Sequence, residues 1–190
     1  MQKLPLPVTL LTLLVFLCPT IVSASSLAEI PNYRSYSDHF ASSGQPDAAQ
    51  LEAVAESGVK RVIYLAFTDN ESAIEHEDSR VKKLGMQYVH IPVDFMAPTL
   101  DDFQLFVKVM EQAPEMNTLL HCQVNFRASS FSLLYRVIHL DVPILEAKEV
   151  FDGVWVPNEV WFRFIQSVLG HHGIDYTCEG CDWGVNEFVE

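Results

Sequence analysis

The chain is poor in basic residues. It has 12 lysines and arginines against 25 aspartates and glutamates, and its formal net charge at pH 7 is −13. Nucleic-acid binding depends on Lys and Arg side chains that neutralise phosphates, so no nucleic-acid partner is expected. An anionic substrate would have to be captured by charges gathered at its own site, because the overall field of the protein repels it.

Long apolar runs are also scarce, and the only one lies near the N-terminus. Residues 10–22 are almost wholly apolar, follow the charged Lys3 and end at the small-residue pattern Val22-Ser23-Ala24. This arrangement predicts a signal peptide over residues 1–24, cleaved after Ala24, and therefore a periplasmic or secreted protein. The run is shorter than the ~20 residues that span a membrane. No later segment is a candidate, so the mature chain is not expected to contain a membrane span.

Cysteine is rare as well. Four cysteines are present, and Cys18 falls within the predicted signal peptide. In an oxidising compartment Cys178 and Cys181 can close a small disulfide, which leaves Cys122 unpaired. A free cysteine outside the cytoplasm needs a reason to stay reduced, and catalysis is such a reason. The histidines just before the Cys-x-x-Cys pair are ligand types suited to zinc, but a disulfide or a loose tail is preferred, and no metal or other cofactor is expected.

The strongest functional signal is the segment 119–129, LLHCQVNFRAS. An apolar run ends at His121-Cys122, four residues separate Cys122 from Arg127, and a helix-forming segment follows at once. Loop amides and the N-terminus of the next helix form an anion-binding cradle, and the same field favours the thiolate, which is the nucleophilic form of cysteine. Arg127 supplies a planar fork that matches phosphate oxygens two at a time. This pattern predicts a phosphatase-like cysteine enzyme.

Strand and helix patterns alternate around this loop. Buried strands are predicted at 59–67, 86–93 and 118–121, and helices at 47–57, 74–84, 99–112 and 128–140. A strand or ribbon is expected within 32–40, a turn at 43–46, and two further helices between 143 and 169. No internal repeat or low-complexity linker interrupts the pattern. The order predicts an α/β fold of three layers, with a mainly parallel central sheet flanked by helices and functional loops at the carboxyl ends of its strands.

With the loop, two further segments complete a family resemblance. The chain resembles the phosphatase-like domain of beta-lactamase-hydrolase-like proteins, a bacterial branch of the cysteine-dependent tyrosine and dual-specificity phosphatases. Residues 43–46 (SGQP) with 58–63 (GVKRVI) are similar to the opening segment of that family, and residues 88–94 (YVHIPVD) are similar to the strand that leads to its acid loop. The resemblance covers roughly residues 33–140. It implies a phosphatase-like domain over 25–170, followed by a tail at 171–190 that carries the Cys-x-x-Cys pair.

The resemblance also implies a role for each residue of the site. Cys122 attacks phosphorus and forms a cysteinyl-phosphate, while Asp94 protonates the leaving oxygen and later activates water. His121 orders the loop from the strand side, and Ser129 hydrogen-bonds to the sulfur as it leaves. The equatorial oxygens are held by Arg127 and by the loop amides of Gln123, Val124, Asn125 and Phe126. The implied partner is a phosphorylated small molecule or a phosphoprotein, and the oligomeric state is not indicated.

The spacing between Cys122 and Arg127 departs from the larger superfamily, whose typical members place five residues there. Either the loop is one residue shorter, closer to that of rhodanese-like sulfurtransferases, or the arginine has moved one place forward. Ser129 favours the second account because it keeps the usual offset from the cysteine. Asn125 stands where phosphatases usually carry glycine, and asparagine is the next most tolerant of positive φ.

The leading hypothesis is therefore a cysteine-dependent hydrolase of phosphomonoesters. One alternative is a sulfurtransferase in which Cys122 carries a persulfide, and it is motivated by the short loop. Another is a catalytically silent domain that keeps the anion cradle without turnover.

Overall fold

The computed structural model describes residues 27–184, so the predicted signal peptide lies outside the described residues. After a short 3-10 turn, Leu27–Glu29, the strands are β1 (Arg34–Ser37), β2 (Phe40–Ser43), β3 (Arg61–Tyr64), β4 (Gln87–His90) and β5 (Thr118–His121). The helices are α1 (Ala48–Glu56), α2 (Glu77–Lys83), α3 (Leu100–Glu111), α4 (Phe126–His139), α5 (Ile144–Asp152) and α6 (Glu159–His171).

The five strands form one sheet in the order β1-β2-β5-β3-β4. Only β1 and β2 pair antiparallel, and the other three pairings are parallel. This confirms the predicted mainly parallel sheet. β5 is the middle strand, and its last residue, His121, pairs with Ser43 of β2 and Tyr64 of β3. The loop that follows β5 therefore leaves the sheet at the centre of its carboxyl edge, where open α/β sheets bind ligands.

Apolar side chains cover both faces of the sheet. Successive strand residues point to opposite faces, and in β5 Leu119 and Leu120 belong to two different clusters of buried residues. Leu119 packs in a cluster with Leu51 of α1, whereas Leu120 packs in a larger cluster with Phe131 of α4 and Trp161 of α6. The helices thus form a layer on each side of the sheet, which confirms the predicted sandwich.

The strand prediction was incomplete at β2. The expected ribbon within 32–40 contains β1, but β2 continues to Ser43, where only a turn was predicted, and all four of its residues are buried. Its sequence, FASS, has one aromatic residue and no β-branched residue, whereas most strands are rich in both types. The remaining predicted elements are present with shifted ends: α2 begins at Glu77 instead of 74, and α4 begins at Phe126 instead of 128.

The segment after α6 folds back onto the last two helices. Cys178 and Cys181 are joined by a disulfide, so their sulfurs are bonded to each other and are not free to bind zinc. Trp183 is buried against Phe151 of α5 and Phe162 of α6. Within residues 27–184, no cluster of His, Cys, Asp and Glu is arranged to hold a metal ion. In the same described part of the chain, no helix is both long and apolar enough to span a membrane.

Candidate active site

Cys122 is the first residue after β5 and is completely buried. Its backbone N–H donates to the carbonyl of Ser43 at 3.3 Å, so the end of β2 fixes its position. Its thiol is free, in contrast to the disulfide in the C-terminal segment. The structure therefore places the predicted nucleophile at the centre of the sheet edge, four residues before the N-terminus of α4.

Two asparagines shape the loop between Cys122 and α4. Asn125 adopts a positive φ of 72°, the left-handed conformation that asparagine tolerates better than most residues. Its side-chain amide donates to the carbonyl of Asn32 (2.6 Å), and the Asn32 side chain donates to the carbonyl of Val124 (3.0 Å). This reciprocal pair fastens the loop to the segment before β1. Sequence reasoning missed Asn32, because nothing in its neighbourhood marks it as a partner of residue 125.

The turn after β2 also holds this loop in place. The N–H of Gln45 donates to the carbonyl of Gln123 (2.9 Å), and the N–H of Gly44 donates to that of Pro31 (2.6 Å). A Cβ atom on Gly44 would lie 2.8 Å from the Gln123 carbonyl oxygen and 2.9 Å from the Pro31 Cβ. Only glycine fits at this position, because a side chain would clash with both segments. This explains why the SGQP segment has glycine there.

Replacement of Gly44 tests this close approach of the turn to Pro31 and Gln123. We expect Gly44→Ala to lower the free energy of unfolding by about 1–3 kcal/mol, the usual range for overpacking, because backbone and a proline ring cannot swing aside as a flexible side chain would. Urea unfolding measures the change. The control is Gly170→Ala on α6, where a Cβ meets nothing within 4 Å and helix propensity predicts a gain of up to ~1 kcal/mol. Equal stability of the two variants would contradict the steric explanation.

Arg127 is the second residue of α4 and is only 6% exposed. Its Nε donates to the carbonyl of Val93 (3.0 Å), and its Nη1 donates to Oε1 of Gln123 (3.3 Å). The guanidinium carbon lies 5.0 Å from the ring centroid of Phe95, a cation–π geometry. These bonds use two of the five guanidinium N–H groups. They orient the side chain and leave its other N–H groups for the oxygens of an anion.

The predicted acid lies next to the point where Arg127 is anchored. Asp94 directly follows Val93, is exposed, and accepts a hydrogen bond at Oδ1 from the N–H of Met96 (2.8 Å). We refer to residues 94–98 as the acid loop; it ends where Thr99 caps α3. The Arg127–Val93 hydrogen bond thus joins the base of the acid loop to the helix that follows Cys122. The structure brings Cys122, Arg127 and Asp94 to one edge of the sheet.

His121 lies behind the nucleophile, on the other face of the strand. Its imidazole is fully buried, stacks on the ring of Tyr64 at 4.7 Å, and places Nε2 at 3.4 Å from Oε1 of Glu77. Burial lowers the pKa of His121 to about 3 and raises the pKa of Glu77 to about 7. Because burial disfavours the charged form of each group, the neutral pair is the favoured state in acidic and near-neutral solution.

Glu77 links this histidine to the brace of the loop. Its Oε1 accepts a hydrogen bond at 2.6 Å from the side-chain amide of Gln45, whose backbone N–H holds the Gln123 carbonyl. The sequence analysis missed Glu77, because it sits in a run of charged residues, EHED, that is typical of a solvated helix start. A buried carboxyl group therefore connects His121, through Gln45, to residues 122–126, which we refer to as the nucleophile loop.

The remaining predicted residues lie around the loop. The Ser129 hydroxyl donates to the carbonyl of Phe126 (3.2 Å), so it would have to rotate before its proton could reach the sulfur of Cys122. Val124 is 43% exposed at the loop surface. Phe126 stacks face to face on Trp155, with ring centroids 4.3 Å apart. This aromatic partner, Trp155, comes from the segment between α5 and α6, which was not predicted to contribute to the site.

Comparison with known proteins identifies the family. A family model described as DSP-PTPase phosphatase fused to NAD+ kinase matches residues 21–146, well over half of the chain. The chain belongs to this family. The match confirms the resemblance to cysteine-dependent tyrosine and dual-specificity phosphatases, and it assigns a cysteine-dependent phosphatase-type function to the domain. It ends at residue 146, so α6 and most of α5 lie beyond it.

Solved structures agree with this assignment. A candidate phosphatase of the DUF442 group from Shewanella putrefaciens CN-32 is 28% identical, with a TM-score of 0.70 over 76% of this chain and 93% of that chain. Tk-PTP in its active form is 17% identical, with a TM-score of 0.62 over 73% of this chain and 96% of that chain. PTPMT1 in complex with PI(5)P is 15% identical, with a TM-score of 0.63 over 74% of this chain and 96% of that chain. The last two likenesses show the phosphatase fold alone. No curated protein sequence matches the chain.

Proposed function

We propose that this phosphatase hydrolyses phosphomonoesters through a cysteinyl-phosphate intermediate, as tyrosine and dual-specificity phosphatases do. One observation carries the proposal: Arg127, in the first turn of the helix after Cys122, is hydrogen-bonded to the residue before Asp94. A nucleophile, an anion-binding group and an acid are thereby connected through a single side chain. The proposed substrate is a phosphorylated small molecule or a phosphoprotein.

The residues divide the reaction into two steps. In the first, the Cys122 thiolate forms a bond to phosphorus while the ester P–O bond breaks, and Asp94 gives its proton to the leaving oxygen. In the second, Asp94 takes a proton from water as the water oxygen attacks phosphorus, and the S–P bond breaks to return the thiolate and release phosphate. Arg127 and the amides of residues 123–127 stabilise the charge on the equatorial oxygens in both steps.

We also propose that the mature protein acts in the periplasm or outside the cell. The predicted signal peptide motivates this location, and the Cys178–Cys181 disulfide supports it, because such bonds persist in oxidising compartments. N-terminal sequencing of the exported protein tests the proposal, with a mature chain that begins at Ser25 as the expected result. Retention of an uncleaved chain in the cytoplasm would contradict it.

Hydrolysis of para-nitrophenyl phosphate by the reduced protein, from acidic to neutral pH, tests the activity. We expect vanadate-sensitive release of nitrophenolate that is lost in Cys122→Ser, because a serine hydroxyl is not ionised at these pH values. No hydrolysis by wild-type protein with a confirmed free thiol would contradict the proposal.

Release of thiocyanate from thiosulfate and cyanide would then support the sulfurtransferase alternative. Phosphate binding without either reaction would support the silent domain.

A further inference from the structure

A tryptophan outside the family match reaches the acid loop. Trp161 of α6 donates a hydrogen bond from its indole Nε1 to the carbonyl of Phe95 at 2.9 Å. Phe95 is the residue directly after Asp94. The indole is completely buried, and buried indole N–H groups are usually paired because an unpaired one is costly. The C-terminal region of the chain thus supplies a fixed hydrogen-bond donor one residue away from the predicted acid.

The indole is itself held in place. Trp161 lies in the first turn of α6, where its backbone N–H donates to Oδ1 of Asn158 (3.0 Å). Its ring packs against Phe164 of the same helix and against Phe131 of α4, with centroids 5.4 and 6.3 Å apart. Since α4 also carries Arg127, the indole positions the acid loop relative to the same helix that binds the anion.

Trp155 also contacts both the acid loop and the loop that follows Cys122. Its ring stacks on Phe126 of the nucleophile loop and lies 6.1 Å from Phe95 and 6.2 Å from Trp161. Aromatic pairs at these distances attract each other beyond the simple burial of area. Residues 155 and 161 together connect the acid loop to the loop that follows Cys122.

The acid loop has few other fixed points. Arg127 holds Val93 at its beginning, and at its end Thr99 and Asp102 form a reciprocal capping box at the start of α3 (3.2 and 3.0 Å). Asp94 itself is exposed, and its carboxylate accepts a hydrogen bond from the N–H of Met96 in the same turn. Between those ends, and among the described residues, the bond from Trp161 is the one hydrogen bond that ties the backbone of the acid loop to the rest of the protein. The Phe95 side chain adds ring contacts with Arg127 and Trp155.

We infer that Trp161 is a positioning residue for the general acid: its indole N–H fixes the Phe95 carbonyl and thereby the place from which Asp94 delivers a proton. The inference rests on the proposed function, since it concerns the same reaction. It assigns Trp161 an effect on catalysis that passes through Asp94, with no contact between Trp161 and the substrate.

Leaving groups of different basicity distinguish this role from a structural one. Phenolate is about as basic as ionised tyrosine and needs a proton to depart, whereas 2,4-dinitrophenolate leaves without one. We expect Trp161→Phe to lower kcat/KM for phenyl phosphate by about tenfold or more, part of the 10²- to 10⁴-fold that a general acid contributes. For 2,4-dinitrophenyl phosphate we expect a change of less than about threefold. A structural lesion would lower both values by the same factor.

Matched variants complete the experiment. Trp183→Phe is the control. Trp183 is also buried, and its indole also donates a hydrogen bond to a backbone carbonyl, that of Tyr176 (3.2 Å), but it lies in the C-terminal segment. We expect the kcat/KM values of this variant to match those of wild type. Asp94→Asn should show the same leaving-group selectivity as Trp161→Phe. In the Asp94→Asn background, Trp161→Phe should then cause no further loss. If Trp161→Phe fails to fold, replacing Trp161 with β-(3-benzothienyl)alanine removes only the N–H and keeps the shape.

The outcomes separate the inference from the proposed function. If wild type hydrolyses both esters and Cys122→Ser does not, the proposed function stands whatever Trp161→Phe does. Equal losses on both substrates, or additive losses in the double variant, would overturn the role of Trp161. If wild type hydrolyses neither ester, the proposed function fails first.

Discussion

Arg127→Lys should lower kcat/KM for para-nitrophenyl phosphate by about 10³-fold, within the range for loss of a transition-state anion contact. Arg127 uses Nε for the Val93 carbonyl and Nη1 for Gln123, so that its remaining N–H groups are oriented before substrate arrives. Lysine keeps the positive charge but is a single donor centre on a flexible stem, and it cannot hold Val93 and a phosphate together. Steady-state kinetics beside a thermal melt separates this loss from unfolding.

The same helix offers a matched control. Arg136 is also 6% exposed and also lies over an aromatic ring, with its guanidinium carbon 5.0 Å from the centroid of Tyr36. It occupies the other end of α4, away from the nucleophile loop. Arg136→Lys should therefore cost stability on the order of 1 kcal/mol and leave kcat/KM unchanged. A loss of activity in Arg127→Lys no larger than that in Arg136→Lys would rule out Arg127 as the group that binds the anion.

Glu77→Gln should change the pH dependence of stability. The pKa of Glu77 is raised by burial from 4.5 to about 7, so the folded protein keeps a proton that the unfolded chain releases. The contribution of this protonated group is complete below pH 4.5 and is lost as the pH rises to about 7. Glutamine does not titrate. The free energy of unfolding of Glu77→Gln, relative to wild type, should therefore rise by roughly 3 kcal/mol across this interval.

His121 makes the comparison sharper, because its shift has the opposite sign. Burial lowers the pKa of His121 from 6.5 to about 3, so its contribution is complete above pH 6.5 and is lost as the pH falls. Between pH 4.5 and 6.5 the unfolded chain carries one proton on His121, and the folded protein carries one on Glu77. In wild type, the effects of the two pKa shifts on the pH dependence of stability therefore cancel in this interval. In Glu77→Gln only the histidine remains, and stability should rise with pH.

Urea unfolding of wild type and variant at several pH values measures this difference. A cavity of about 550 Å³ lined in part by Glu77, Tyr88 and His90 adjoins the carboxyl group, which gives protons a route to it. Glu52→Gln removes a negative charge from an exposed site on α1 and serves as the control for net charge. Parallel pH curves for wild type and Glu77→Gln would show that Glu77 does not keep its proton in the folded protein.

The sequence was most informative where local chemistry determines local structure. The apolar run that ends at Cys122 predicted a buried strand and a following helix. In an α/β chain, a short apolar segment between polar loops usually forms a buried strand. Asn125 adopts the positive φ that its identity allows, and Thr99 caps α3 at the position where a helix was predicted to begin. Most residues placed at the site lie in one continuous segment, 121–129, whereas Asp94 was placed there by the family resemblance.

The residues that were missed act across long distances in the chain. Glu77 is buried in contact with Gln45 and His121, which are distant in the sequence, and a charged run gives no sign of this. β2 is a strand because β5 pairs with it, and FASS has weak strand preference of its own. Trp161 was not predicted to lie at the site, since an aromatic residue in a helix gives no indication that its N–H reaches the acid loop. In each case the deciding partner lies more than thirty residues away.

The central position of β5 also bears on the order in which the sheet can assemble. Phe40 of β2 pairs with Thr118, so the N-terminal ribbon has no partner in the sheet until residue 118 is also available. Before then only the separate halves β1–β2 and β3–β4 can form, each with an open edge that invites wrong pairing. Insertion of β5 closes the sheet and places Cys122 in the same event. Partly folded chains therefore expose strand edges but contain no assembled nucleophile loop.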